Sequence, residues 1–438
     1  MRPNCRIALY SHDTVGFGHT RRNLLIAHSL VRYAADVLLI AGAPESTAFS
    51  IPPGADCLAL PALRKDPDGK YRPRRLGLGT DELISLRANT IAAALEAFKP
   101  DALIVDKVPR GAMGELEPAL EALHRRGGTR CILGLRDVLD ETQSVVREWK
   151  EARNDEAIRR YYDSVWVYGD PSVFDPIMEY GFCEDVASKV RYSGFLDQSR
   201  WLEFDPHGTD DGVSGLLSPE GRIALCLLGG GEDGAPLAEA FAQVDFPPDM
   251  SGVILTGPMM PAKDRSRIIG YSESRPRLRV IEFLHQPIPL LKRADRVVAM
   301  GGYNTIGEVL SFEKTALIVP RVRPRTEQLI RAERMKELGL LDLLPPSELS
   351  PRALTEWLGR DLPPPRVRDR IDLDGLGRIP GLLEEVLPPA GRIGAREAFR
   401  PLAALHGVAV AAMGRVFSDL EASSFLMELQ EEVIRLVV

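Results

Sequence analysis

The feature that most limits how this chain can fold is its repeated use of short apolar runs that do not alternate with polar residues and that take turns with helix-like stretches. In the first half these runs are Cys5–Tyr10, Asp36–Ala41, Asp101–Val105, Cys131–Leu135, Val165–Tyr168 and Val190–Tyr192. Helical patterns lie between them at Arg21–Tyr33, Thr80–Phe98, Gly114–Arg125 and Glu141–Tyr161. A strand without alternation must be covered on both faces, which is the condition of a parallel sheet sandwiched by helices. The pattern stops at Leu196–Gly221, rich in Asp, Gly, Pro and Ser, and restarts at Arg222–Leu228, Gly252–Leu255, Arg277–Phe283, Arg296–Ala299 and Ala316–Val319. The spacing predicts an α/β chain with two doubly wound domains, at 1–200 and 221–388, joined by a linker at 201–220. A helical tail at 389–438 completes it, and its simplest reading is packing back on the body. Two such domains leave a cleft at the carboxyl ends of their strands, where open α/β sheets bind ligands.

Composition removes several classes of function. Over 438 residues the formal net charge is −7, which argues against a nucleic-acid partner. The five cysteines (Cys5, Cys57, Cys131, Cys183, Cys226) form no CxxC pair, so neither a disulfide scaffold nor a zinc knuckle is expected. The longest weakly polar runs, Val37–Pro44 and Pro401–Gly414, fall short of the ~20 residues that cross a bilayer. With no signal-peptide profile before the first strand, a cytoplasmic location is expected, and the protein could still touch the inner face of a membrane.

The turn after the first strand reads Gly16-Phe17-Gly18-His19 and opens a helix. Gly16 and Gly18 suit close approach of a ligand to the helix N-terminus. The third glycine of a dinucleotide fingerprint is replaced by Arg21, and charged Arg21 and Arg22 argue against close helix–sheet packing there. His19 has the residue type and position of a general base. Asp106, at the end of another strand, could orient it or meet substrate, with Asp13 a weaker candidate for that task. Arg136 and Asp137 fall at a strand end as well, either as an acceptor-side contact or as an ion pair.

The second half carries the more specific constellation. The strand Arg296–Ala299 leads into Gly301-Gly302-Tyr303-Asn304-Thr305, a helix start whose cap is read as Asn304 or Thr305 and whose free N–H groups suit a diphosphate. Glu308, one turn into that helix, presents a carboxylate suited to vicinal hydroxyls such as a ribose. Glu327 and Gln328 open the next helix, an acid and amide that can grip sugar hydroxyls. Gly229, Gly230 and Gly231 make a second glycine turn after a strand.

In these residues the chain resembles the donor-binding half of nucleotide-sugar glycosyltransferases of the GT-B fold, which pairs two Rossmann-like domains, and is especially similar to glycosyltransferase family 28. That family includes the N-acetylglucosaminyltransferase acting on the lipid-linked peptidoglycan precursor. The resemblance implies a diphosphate at Gly301–Thr305, a ribose at Glu308, a sugar at Glu327 and Gln328, and a uracil beside His285-Gln286-Pro287. It also implies phosphates next to Gly229–Gly231 and an acceptor-side role for the His19 turn. Arg331 stands where the peptidoglycan enzyme has a sugar-contacting Asn. The implied activity is metal-independent, inverting transfer of a hexose or N-acetylhexosamine from a UDP-sugar to an acceptor hydroxyl. The acceptor would be a glycan, lipid-linked or small molecule, in cell-envelope or polysaccharide biosynthesis. No cofactor beyond the nucleotide-sugar co-substrate is implied, and Asp66-Pro67-Asp68 resembles a metal-binding DxD only superficially. The alternatives are a nucleotide-sugar 2-epimerase on the same fold and a catalytically silent sugar-nucleotide binding protein.

Overall fold

The computed structural model describes residues 5–13, 18–33, 35–44, 46, 49–66, 70–204, 221–284 and 286–387. Gly16, Asp68, His285, most of the expected linker and the 389–438 tail lie outside them. The first lobe contains β1 (Cys5–Ser11), β2 (Ala35–Ala41), β3 (Ala55–Ala59), a hairpin of β4 (Leu63–Lys65) and β5 (Tyr71–Pro73), β6 (Ala102–Asp106), β7 (Arg130–Arg136), β8 (Ser164–Tyr168) and β9 (Val190–Tyr192). Among the described residues these build a seven-stranded parallel sheet in the order β3-β2-β1-β6-β7-β8-β9, beside the separate β4–β5 hairpin.

The second lobe contains β10 (Arg222–Leu227), β11 (Met250–Leu255), β12 (Leu278–Ile281), β13 (Arg296–Ala299), β14 (Ala316–Ile318) and β15 (Asp342–Leu343). They lie parallel in the order β12-β11-β10-β13-β14-β15. In each sheet the strand order reverses beside the first strand, between β1 and β6 and between β10 and β13. Loops leaving these strands diverge and open a crevice, so the two sheets set the position of the site before any side chain is considered.

Ile7, Ala8, Leu9 and Tyr10 of β1 are completely buried, as the absence of alternation requires. Each large aliphatic side chain so covered contributes ~1.5–3 kcal/mol of transfer free energy. One buried polar cluster is closely paired: the Arg87 guanidinium donates to the Glu115 carboxylate and to the Gly42 and Pro61 carbonyls, and the Tyr10 hydroxyl donates to Glu115 as well.

Several local expectations change. The helix expected over Glu141–Tyr161 is two helices, Thr142–Glu151 and Asn154–Tyr161, because Arg153 takes a left-handed φ of 47° between them. The helix expected from Gly114 begins at Glu117, after a 3-10 turn at Ala112–Gly114. The second lobe does not keep residues 221–388 to itself. Helix Gly375–Val386 packs against helix Gly18–Val31 of the first lobe, where Ser29 Oγ donates to the Leu376 carbonyl at 3.0 Å. Just before it, the returning chain pairs with the segment that leaves the first lobe. Phe195 N donates to Asp372 O at 2.8 Å, and Gly375 N donates to Phe195 O at 3.0 Å.

Candidate active site

Helix Gly18–Val31 follows the turn after β1, and Asp13 fixes its start. The Asp13 carboxylate accepts from Thr20 N at 3.1 Å, from Ser11 Oγ at 2.5 Å and from Gly42 N at 3.3 Å. It is thereby committed to the backbone and does not touch His19. Asp106, the last residue of β6, does. Its Oδ2 lies 2.5 Å from His19 Nδ1, and Arg22 Nη2 donates to Oδ1 at 2.7 Å and to Oδ2 at 2.6 Å. Arg22, set aside as too charged to pack, is 2% exposed because its charge is neutralised inside the lobe, with its guanidinium 5.2 Å from the Tyr303 ring centre.

Electrostatics follow from this packing. Burial alone would raise the Asp106 carboxyl, but Arg22 and His19 outweigh it and hold Asp106 well below the ordinary carboxylate range. Burial lowers the His19 imidazole, against the opposite pull of Asp106. An ionised Asp106 takes the Nδ1 proton as its hydrogen bond, which leaves Nε2 as the free base. His12, which the sequence reading passed over, has its ring centre 4.8 Å from that of His19, and burial pulls it well below its ordinary value.

His19, Gly18, Arg21, Arg22 and Arg136 form the first-lobe side of a cavity of about 320 Å³ between the lobes. The opposite wall is helix Tyr303–Ser311 and the loops after β10 and β11. That helix begins earlier than expected: Gly302 is its N-cap, with no side-chain capping bond. Asn304 is therefore not the cap, and its Nδ2 reaches across to donate to Gly18 O at 3.0 Å. With no side chain at the cap, the first-turn N–H groups lie beside the cavity wall formed by Gly302, Tyr303, Asn304 and Thr305. Gly229, Gly230 and Gly231 line the same space, and Gly231, with φ of 88°, has a packing reason as well: a Cβ there would collide with the Thr256 carbonyl.

Glu308 and Gln328 share this cavity. The Glu308 carboxyl is raised by burial and held down in part by Arg21, whose Nη2 is 3.0 Å from Oε1. Gln328 Oε1 accepts from Gly301 N at 3.0 Å and Arg321 N at 3.1 Å, which fixes the side chain. Glu327 does not line the cavity; its Oε1 accepts from Arg321 Nη2 at 2.6 Å, and it is Arg321 that does. Gln286 is buried and accepts from Arg21 at 3.4 Å, while Phe283, Leu284 and Pro287 supply the apolar wall nearby.

Two expected ligand contacts bond each other instead. Arg331 is completely buried and grips Asp137 of the first lobe, Nε to Oδ2 at 2.8 Å and Nη2 to Oδ1 at 2.8 Å, with further bonds to the Gly301 and Val138 carbonyls at 3.1 Å. Neither lines the cavity. Tyr303 OH donates to Tyr168 O at 2.8 Å, and Arg325 bonds Asp140 at 2.9 Å and Glu148 at 2.9 Å, so the lobes are joined on several sides. Asp66 is likewise occupied, by Arg72 at 3.0 Å in the hairpin. No His, Cys, Asp and Glu cluster suited to a metal is present among the described residues. No helix among them is long and apolar enough to cross a membrane.

Two Rossmann-like lobes meeting at their switch points over one shared cavity define the GT-B fold. The crystal structure of the glycotransferase of kitacinnamycin has the same architecture, with a TM-score of 0.55 at 18% identity over 89% of this chain and 100% of that one. So does the UDP-GlcNAc 2-epimerase of Neisseria meningitidis bound to UDP-GlcNAc, with a TM-score of 0.57 at 15% identity over 88% and 99%. Residues 225–367, which contain the cavity's second wall, match the glycosyltransferase family 28 C-terminal domain. An uncharacterized glycosyltransferase of Methanosarcina acetivorans is 23% identical over 314 residues, 66% of this chain and 74% of that protein. The chain thus has the GT-B fold, and its second lobe is similar to the C-terminal domain of glycosyltransferase family 28.

Proposed function

We propose that the protein transfers a hexosyl or N-acetylhexosaminyl group from a UDP-sugar to an acceptor hydroxyl, with inversion and without a metal ion. The observation that carries this reading is that the His19–Asp106 dyad and the uncapped helix N-terminus at Gly302–Thr305 face one cavity from opposite lobes. The diphosphate would lie at that N-terminus with Arg321 beside it, the ribose at Glu308 and the sugar at Gln328. His19 Nε2 removes the acceptor proton as the acceptor oxygen bonds to the anomeric carbon. The bond from that carbon to the diphosphate breaks on the opposite face, and UDP leaves with the electron pair. Fixed N–H donors aimed at a developing charge are each worth ~3–4 kcal/mol in such sites.

The test is thermal shift with a panel of nucleotide sugars, since a bound donor stabilises the fold by mass action, followed by product analysis with candidate acceptors. Stabilisation by UDP-sugars is expected, and no shift with any nucleotide sugar refutes the reading. Sugar interconversion without any acceptor would establish a 2-epimerase instead. His19→Ala should keep UDP affinity and lose transfer by ~10²-fold or more.

A further inference from the structure

Two helices from different lobes, Gly18–Val31 and Tyr303–Ser311, meet at the cavity and touch at two successive turns. Asn304 Nδ2 donates to Gly18 O at 3.0 Å, and about one turn further along each helix Arg21 Nη2 lies 3.0 Å from Glu308 Oε1. The same Arg21 nitrogen donates to Gln286 Oε1 at 3.4 Å. Glu308 and Gln286 are 5% and 7% exposed, and the Arg21 side chain 17%. One guanidinium nitrogen of the first lobe therefore sits between the two side chains of the second lobe that the donor reading sets beside ribose and uracil.

The chemistry of this contact is that of the ligand. A guanidinium offers N–H donors to a carboxylate and an amide oxygen; the vicinal hydroxyls of a ribose and the N–H of a uracil offer theirs to the same kinds of acceptor. Arg21 fills with its own donors the places a nucleoside would fill, and both cannot be there together. Displacing it is more than an exchange of hydrogen bonds, because the freed guanidinium gives up a carboxylate in largely buried surroundings. A bare nucleoside brings no negative charge to offset that loss. A phosphate chain does, and Arg21 lines the same cavity as the uncapped helix start at Gly302–Thr305, where the proposed function puts the diphosphate.

We propose that Arg21 is a specificity-determining residue of the donor site: it holds Glu308 and Gln286 against a bare nucleoside and yields them to a nucleotide whose phosphates take up its charge. This rests on the donor reading of the cavity and adds to it a first-lobe residue that decides which ligands enter. Lysine could not serve equally, since an ammonium lacks the planar fork of donors.

The experiment is calorimetric titration of uridine and of UDP into the full chain, wild type and variant, with thermal unfolding to check that each variant is folded. Arg21→Gln should bind uridine about tenfold more tightly while its UDP affinity stays within about threefold, so the advantage of UDP over uridine shrinks. Arg21→Lys should fall between Arg21→Gln and the wild type. In a Glu308→Gln background the gain for uridine should disappear, because the carboxylate that Arg21 covers is gone. Unchanged uridine affinity in Arg21→Gln, or a gain that survives Glu308→Gln, overturns the proposal, while UDP binding keeps the donor reading. A fall of tenfold or more in UDP affinity with uridine unchanged makes Arg21 a plain phosphate contact and overturns it too. UDP binding to Arg21→Gln but not to the wild type supports it. If neither ligand binds the wild type or Arg21→Gln, the donor reading fails and this proposal with it.

Discussion

Replacing Arg331 with methionine separates a structural role from a donor contact. Both Arg331 and Asp137 have side chains with 0% exposure, and Arg331 makes bonds to both carboxylate oxygens and to two carbonyls. Methionine fills much of the stem's volume, so the loss is mainly electrostatic: Asp137 stays buried with its charge unpaired. Breaking one half of such a pair costs ~3–5 kcal/mol, toward the upper end here because the Gly301 and Val138 carbonyls also lose a donor. For lobes of this size each kcal/mol moves the transition by ~2–4 °C, so a fall of roughly 6–20 °C is expected. Asp137→Ala should fall comparably, because it strands the guanidinium. The double variant removes both charges and should lose less than the two single losses added together, with a coupling of ~2–3 kcal/mol. The assay is thermal unfolding followed by tryptophan fluorescence, paired with calorimetric UDP titration on each variant. Single variants that shift by under ~2 °C, or losses that simply add, would refute the buried-pair reasoning. Unchanged stability with lost UDP affinity would restore Arg331 to the donor site.

Glu308→Gln should weaken UDP binding by about tenfold, the loss of roughly one charge-assisted bond; calorimetry with undiminished affinity would remove Glu308 from the ribose position. The pH profile of kcat/KM should rise with a slope of one and level off before neutrality. His19 is pulled below its ordinary ~6.5 by burial, so the neutral base is already present at pH 7. The same sign governs stability: the unfolded chain binds the His19 proton more readily, so this contribution is complete above ~6.5 and is lost as pH falls below it. Asp106, held low, adds stability that is present above ~3.9 and lost as pH falls through its folded value. Lys107→Met should raise the unfolding temperature at pH 7 and flatten its rise between pH 7 and ~10.4, because the wild-type ammonium sits at about 7 when folded; an unchanged slope would refute the assignment.

Strands buried on both faces were the easiest part of the fold to read, because β1, β6, β7, β8, β10 and β13 are unbroken apolar runs. The strand Ala55–Ala59 escaped notice because it is an edge, only half-buried, and begins after Pro52-Pro53-Gly54. Leu63–Lys65 and Tyr71–Pro73 are too short and too charged to show a period, and Asp342–Leu343 has only two residues. At the site, Gly302, Thr305, Glu308 and Gln328 were legible because they are local to one strand–turn–helix pattern and its neighbour. Pairings across the lobes were not legible. Arg331 and Asp137 are 194 positions apart, and an arginine's partner leaves no mark on its own surroundings in sequence. Arg22 carried a usable signal: a charged residue on the buried start of a helix that continues as Leu24–Ala27 needs a buried acid, and Asp106 ends a fully apolar strand.

The adjacent crossings at Phe195 and Asp372–Gly375 act on the molecule like a pair of knuckles on one pin. Because the described segment that leaves the first lobe and the segment that returns to it are bonded to each other there, a swing of one lobe on the other about that pin would keep both bonds. Residues far from the chemistry, at 193–197 and 372–378, thereby join the Arg331–Asp137 and Tyr303–Tyr168 contacts in tying the two lobes together. Dividing the gene after the first lobe would discard the helix that seals its outer side, so neither half is a natural unit of expression.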